Sequence, residues 1–274
     1  YHYLSASDGR VRIWPKDRSG NEVEDRIDYK GYNYKDQELI IAQIRDQVRY
    51  PLLDELRRSL NDWTIFRGFG ENALKNIHES QTLDAAIPLR LNPDGSNLVS
   101  VLHNLGNEAQ YGSEYRELTE ILQKAFPDFE KLDLKPVATG KVELHWRSNN
   151  FRNRAAFPAR SISDGMLRFI GLATLLLLPE PPSLIAIDEP EIGLHPELLP
   201  MLSGLLKRAS ERTQLIVTTH SPLLLDSLDV SDIVLVGRED GETKFERADT
   251  KSNLHRWLER YTLGDLWKIG KLGG

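Results

Sequence analysis

The chain has 274 residues, with 35 Lys and Arg against 41 Asp and Glu, a formal net charge of -6 and no cysteine. That length holds one large domain or two modest ones. The missing thiols exclude disulfides and thiolate metal sites and fit a reducing cytoplasm, and the acidic balance argues against a broadly basic nucleic-acid surface while leaving a local basic patch open.

The longest apolar run, Ile170 to Leu178, is too short to span a bilayer, so no membrane partner is expected, and no signal peptide is visible. The sequence opens at Tyr1 without a Met, and an N-terminal part is expected to lie outside it. Val11-Arg-Ile-Trp14 alternates as a strand does, with turn signals at Asp8-Gly9 and Ser19-Gly-Asn21. Ile40, Ile44 and Val48 predict a helix over 36–48 with Asp36 as N-cap. Pro51 starts a second helix, in which Leu52, Leu53, Leu56 and Leu60 read as a core-facing stripe. Trp63 to Phe66 is a short strand, and 67–87, weakly periodic, reads as a loop with one helical turn. Asn92-Pro-Asp-Gly95 is a turn, after which Ser96 is expected to cap a helix to Leu105. Ser113 to Ala125 is amphipathic, and Leu132 to Leu134 with Val142 to Trp146 read as a hairpin around Thr139-Gly140.

From Arg147 to Arg160 the chain carries Arg147, Arg152, Arg154 and Arg160 and no acid. A solvated loop and a phosphate-facing loop both fit that composition. The texture then changes to strand–helix alternation, the mark of a parallel sheet with helices on it. Helices are expected at 166–178 and 196–212, buried strands at Leu184–Ile187, Gln214–Thr218 and Ile233–Val236, and a short helix at 222–228. An edge strand at Thr243–Glu246 and a terminal helix capped by Ser252 complete the pattern.

The strand Leu184 to Ile187 ends in two acids, Asp188 and Glu189, and Pro190 stops it there. Carboxylates at the C-terminal tip of a buried strand need partners, and in open α/β sheets that tip is where ligands sit. A magnesium ion with a phosphate chain is the natural partner; solvated turn residues are the plainer alternative. Ile162-Ser-Asp-Gly-Met166 precedes the 166–178 helix, so that Ser163 can cap it and Gly165 allows close backbone approach. That is a phosphate cradle or a plain N-cap. His220, in Thr218-Thr-His-Ser-Pro222, follows a second strand and can reach a phosphate or an attacking water, or serve structure alone. Gly193-Leu-His-Pro196 is a tight turn between the acids and the next helix, and Glu191 is a third acid nearby.

In this order the four features resemble the C-terminal half of an ABC-type ATPase, of the SMC/RecF-like branch called AAA_21. Ile162 to Met166 resembles the signature motif, with Asp164 in place of a glycine and Met166 in place of a polar residue. Leu184 to Glu189 resembles Walker B, and Gly193 to Pro196 the D-loop, with His195 where an acid is common. His220 resembles the switch histidine, and Leu91 to Leu98 a turn frequent in the branch.

The resemblance implies an α/β P-loop NTPase fold: an ATPase lobe over 159–274, and over 1–158 a mixed α+β lid or insertion with the remainder of the N-terminal lobe. It implies ATP and Mg²⁺ as cofactors, Asp188 as metal ligand, and Glu189 and His220 as catalytic residues. Ser163, Asp164, Gly165 and Arg168 would contact nucleotide. Expected partners are a second copy joined through ATP, DNA, and a separate nuclease or effector subunit. The expected role is DNA repair, DNA maintenance or phage defence in the cytoplasm; the alternative is a non-catalytic scaffold descended from such an ATPase. A phosphate loop, G-x-x-x-x-G-K-[ST], is absent: Gly-Lys occurs at 140–141 and 270–271, followed by Val142 and Leu272 and preceded five residues earlier by Lys135 and Asp265. The 274 residues alone are therefore expected to be inactive.

Overall fold

A computed structural model describes residues 4–7, 10–13, 27–28, 41, 47, 51–83, 89–149, 156–251 and 254–272. The chain divides into two compact units, Tyr1–Trp63 and Thr64–Gly274. In the first, β1 (Leu4–Ser7), β2 (Arg10–Ile13) and β3 (Ile27–Asp28) form an antiparallel sheet in that order. The expected strand at Val11 is β2; Trp14, both expected turns and almost all of the 36–48 helix lie outside the described residues. Helix α1 (Pro51–Asn61) starts on its proline. Its inward stripe is Leu53, Asp54, Arg57 and Leu60 rather than the four leucines expected, because Leu52 and Leu56 fall on the opposite arc and are exposed.

The second unit opens in strand β4 (Trp63–Phe66), through its residues 64–66, and continues into α2 (Glu71–His78) and β5 (Gln81–Thr82). A two-turn helix and a strand thus replace the expected loop. Next come α3 (Leu98–Asn107) and α4 (Gly112–Ala125), then the long hairpin β6 (Phe129–Ala138) and β7 (Lys141–Ser148), and β8 (Ala156–Pro158). Asn97 rather than Ser96 stands at the N-cap of α3. Strands β5, β6 and β8 all pair antiparallel with β7. Gly140 turns the β6–β7 hairpin at φ +69°, so the first Gly-Lys pair is a hairpin turn and not a phosphate loop.

Helix α5 (Asp164–Leu177) is followed by β9 (Leu184–Asp188), α6 (Leu199–Ser210), β10 (Gln214–Thr218) and α7 (Pro222–Leu225). Strands β9 and β10 are parallel, and the sheet runs β10-β9-β4. Helix α5 is apolar almost all round, as a helix surrounded by core must be. Leu167, Phe169 and Ile170 are fully buried, and the Thr174 hydroxyl satisfies itself on the Ile170 carbonyl at 2.7 Å. Arg212 donates to the Leu176 and Leu178 carbonyls at 3.0 and 2.9 Å, meeting the orphaned acceptors at the end of α5. One apolar core joins α2 to α6, both sheets and Leu224.

β10 departs from expectation. Leu215 and Val217 pack on the core, but Ile216 points to the other face and is 51% exposed. The expected strand at 233–236 is also different: β11 (Val234–Glu239) pairs antiparallel with β12 (Glu242–Arg247) across the Asp240-Gly241 turn, as a separate exposed ribbon. Helices α8 (Leu254–Leu258) and α9 (Leu263–Lys268) replace the single terminal helix. A capping box of Thr262 and Asp265 starts α9 afresh, while Ser252 lies outside the described residues. Gly270 follows α9 at φ +70° and is a helix-end glycine, which disposes of the second Gly-Lys pair.

The ring of Phe69 wedges between the turn before α3 and helix α5. A Cβ on Gly95 would stand 2.1 Å from it, and one on Gly171 1.9 Å from it. Gly171→Ala should therefore destabilise the protein by about 1–3 kcal/mol through overpacking. Part of that loss should return in Gly171→Ala with Phe69→Leu, as measured by denaturant unfolding.

Candidate functional site

The site is set by the register of β9 and β10, which places Thr218 directly beside Asp188 at the C-terminal tips of two parallel strands. The Thr218 hydroxyl donates to Asp188 Oδ1 at 2.5 Å. Thr218 Oγ1 in turn accepts the Glu189 amide at 3.1 Å, and the Thr218 carbonyl accepts that amide as well. Pro190 prevents the strand from continuing. The chain instead turns through Glu189, whose φ of +44° lies in the left-handed region that a side chain adopts only at a cost. This twist carries the carboxylate of Glu189 to 3.6 Å from His220 Nε2. The imidazole is 74% exposed and rests near the Trp267 ring of α9, centroids 5.8 Å apart.

Glu191 ties the two tips together. Its Oε1 accepts the Thr219 hydroxyl at 2.5 Å and the His220 amide at 3.0 Å, while its buried Oε2 has no hydrogen-bond partner among the described residues. The turn it belongs to is closed by Ile192 and Leu194 amides donating to the Glu189 and Glu191 carbonyls, at 3.1 and 3.0 Å.

Ser163 caps α5 by accepting the Met166 amide at 3.3 Å, as expected from sequence. Gly165 meets the Gly193 carbonyl so closely that a Cβ would lie 2.6 Å from it. Arg168 lies against Gly193, which holds φ +77°. The helix N-terminus and the 189–194 turn are thus in direct contact, which is why both positions are glycine. Asp164 stands 3.6 Å from His78 of α2. A cleft runs from Arg168 past Asp188 and Glu189 to Arg67 and Phe69, on the loop after β4. The Arg67 amide donates to the Pro93 carbonyl at 3.0 Å. The Asn92–Asn97 turn holds its own shape through Asn97, whose side chain accepts from Asn92 N and donates to Arg90 O, both at 2.8 Å.

Seven expected site residues thus fall in two linked groups: Asp188, Glu189 and His220 at the strand tips, and Ser163, Asp164, Gly165 and Arg168 at the start of α5. Sequence reasoning left out Thr218, Trp267 and Arg67. Thr218 was legible as the last residue of the expected strand at Gln214–Thr218, but its register beside Asp188 was not; Trp267 and Arg67 come from elements distant in sequence, with no local signal. The basic stretch fares differently. Arg147 pairs with Asp133, and Arg160 bonds Glu143 at 2.8 Å, so both are paired with acids of the β6–β7 hairpin. Burial works to raise the Asp133 carboxyl, but hydrogen bonds and charge from Arg147 and Lys131 outweigh it and hold it below the usual carboxylate range. Arg152 and Arg154 lie outside the described residues.

The tip fits magnesium chemistry. Asp188 offers an exposed carboxylate oriented by a hydroxyl. Among the described residues no three His, Cys, Asp or Glu side chains cluster to hold a metal alone. Mg²⁺ needs no such cage, because it binds through one or two carboxylates with water and phosphate oxygens.

Residues 19–226 match the model of the family AAA_21, described as AAA domain, putative AbiEii toxin, Type IV TA system. The chain is 24% identical over 230 residues to the DNA repair protein RecN of Rickettsia conorii, an overlap of 80% of this chain and 41% of RecN. The chain therefore spans about two fifths of the curated relative it matches. Among solved structures it is similar to the SMC head domain from Thermotoga maritima, at 15% identity over 89% of this chain and 72% of that one, with a TM-score of 0.40. It is also similar to the SmcHead bound to the C-winged helix domain of ScpA, at 18% identity over 68% and 54%, with a TM-score of 0.46. Among the described residues no helix is long and apolar enough to cross a membrane.

The backbone at Glu189 can be tested without any ligand. Glu189→Gly should be more stable than Glu189→Ala by about 1 kcal/mol, since glycine alone is free of the left-handed cost. Equal unfolding midpoints would show that the turn is unstrained.

Proposed function

Because the chain belongs to the AAA_21 family, an SMC/RecF-like branch of the ABC-type ATPases with the α/β P-loop NTPase fold, we propose that it supplies the hydrolytic half of an ATP site. The observation that carries this reading is the Asp188, Glu189 and His220 constellation, set at the C-terminal tips of adjacent parallel strands.

In this reading Asp188 holds Mg²⁺ beside the phosphates, with the Thr218 hydroxyl fixing its carboxylate. The metal supplies charge neutralisation during phosphoryl transfer. Glu189, at φ +44° and with its carboxylate 3.6 Å from His220 Nε2, polarises the attacking water. The exposed His220 imidazole hydrogen-bonds the γ-phosphate. Ser163, Asp164, Gly165 and Arg168 present a helix N-terminus and a guanidinium to the nucleotide held by a second copy of the chain. ATP then closes a homodimer and hydrolysis loosens it, a population shift driven by contacts to the γ-phosphate. Residues 159–274 form the lobe that carries these motifs, and residues 1–158 the lid and the remainder of the N-terminal lobe.

Phosphate cradling needs backbone amides and a lysine that the 274 residues do not contain in motif form, so we infer that these residues alone do not turn over ATP. RecN is named for DNA repair. DNA repair or maintenance is accordingly the role we propose, with phage defence, through a separate nuclease or effector subunit, as the second. In the basic stretch Arg147 is paired with Asp133 and Arg160 with Glu143, which weakens the case for a DNA contact through those two arginines.

In the full-length protein that supplies the phosphate loop, Glu189→Gln should bind ATP normally, lose turnover by about 10²-fold or more, and elute as an ATP-dependent dimer. Wild-type turnover in Glu189→Gln, or a monomer at saturating ATP, would contradict the mechanism.

A further inference from the structure

Glu191 has no part in the mechanism above, yet its side chain bridges the two strand tips. Its Oε1 takes two hydrogen bonds, from the Thr219 hydroxyl at 2.5 Å and from the His220 amide at 3.0 Å. The residues it grips belong to the loop after β10, 28 and 29 positions further along the chain. The Thr219 hydroxyl in turn accepts the Ser221 amide at 3.0 Å, so the whole 219–221 segment hangs on this carboxylate. At its other end Glu191 sits in the turn that carries Glu189 and Gly193.

Stability alone does not account for this residue. Oε2 is buried and makes no hydrogen bond among the described residues, which is a cost rather than a gain. A glutamine would keep the Oε1 acceptor and place an amide NH2 where Oε2 lies. Buried groups kept at such a cost are found where geometry matters more than stability. The geometry at stake here is the His220 imidazole, which is 74% exposed and, among the described residues, lies 3.6 Å from the Glu189 carboxylate and beside the Trp267 ring. An imidazole so lightly packed takes its position from its own backbone, and the His220 backbone amide is held by Glu191.

We propose that Glu191 is the positioning residue for His220: it fixes the 219–221 loop against the 189–194 turn, so that the histidine and the Glu189 carboxylate face the same reacting phosphate together. This rests on the ATPase reading. A consequence is that any shift of the turn, which also carries Gly193 against Gly165 and Arg168 of the signature helix, moves the histidine as well.

The experiment uses the full-length protein and five variants, Glu189→Gln, Glu191→Ala, Glu191→Gln, His220→Ala and the double Glu191→Ala with His220→Ala. Glu191→Ala should lower kcat for ATP about 10- to 100-fold, the usual loss for a group that orients a functional side chain, with KM unchanged. Glu191→Gln should recover most of kcat, because its amide oxygen still accepts. In the His220→Ala background, Glu191→Ala should cost nothing further, whereas a residue serving only the fold would cost as much as before. Without nucleotide, the His220 amide should exchange hydrogen faster in Glu191→Ala than in wild type. The proposal falls if Glu191→Ala turns over at the wild-type rate while Glu189→Gln is dead, if the two losses multiply in the double variant, or if the His220 amide stays equally protected. A wild-type protein without Glu189-dependent turnover sinks the ATPase reading itself, and this inference with it.

Discussion

Everything at the site depends on one registration: β9 and β10 lie parallel with Thr218 level with Asp188. Parallel pairing points both strands the same way, so their C-terminal tips open into one crevice. Had the register slipped by one residue, Thr218 would face the other side of the sheet and Asp188 would lose the hydroxyl that orients it. The register is held from below. Ile185, Ile187, Leu215 and Val217 pack on the core under α5, and that apolar contact chooses which face each tip residue takes.

The energetics divide accordingly. Apolar burial around α5 stabilises the platform, with α5 capped by Ser163 at one end and by Arg212 at the other. The tips above spend some of that stability. Glu189 adopts a left-handed backbone conformation, and among the described residues Glu191 Oε2 has no hydrogen-bond partner and the acids form no cage of three metal ligands. Close glycine contacts then lock the pieces, Gly165 on the Gly193 carbonyl and Phe69 between Gly95 and Gly171. Each permits an approach that a methyl group would block.

The strand-tip chemistry was legible in the sequence because its signals are local: an apolar run, two acids, a strand-stopping proline, and a capping serine with glycine after it. The helices α4, α5 and α6 and the β6–β7 hairpin were legible from periodicity for the same reason. What escaped was non-local. Alternation in Val234 to Val236 shows a strand but not its partner, and the strand joined β12 in a ribbon rather than the parallel sheet. Burial of β10 on both faces was inferred from its apolar run, yet Ile216 is exposed. The basic stretch looked free because Asp133 and Glu143, which pair with Arg147 and Arg160, come from the preceding hairpin. Trp267 reaches His220 from the far end of the chain.

The most direct test of the account is a crystal structure of the full-length protein with Mg²⁺ and a non-hydrolysable ATP analogue. The account predicts Asp188 beside the metal, Glu189 within about 2.6–3.2 Å of a water in line with the γ-phosphate, and His220 within the same reach of a γ-phosphate oxygen. A nucleotide bound with its phosphates away from the tips of β9 and β10 would contradict it.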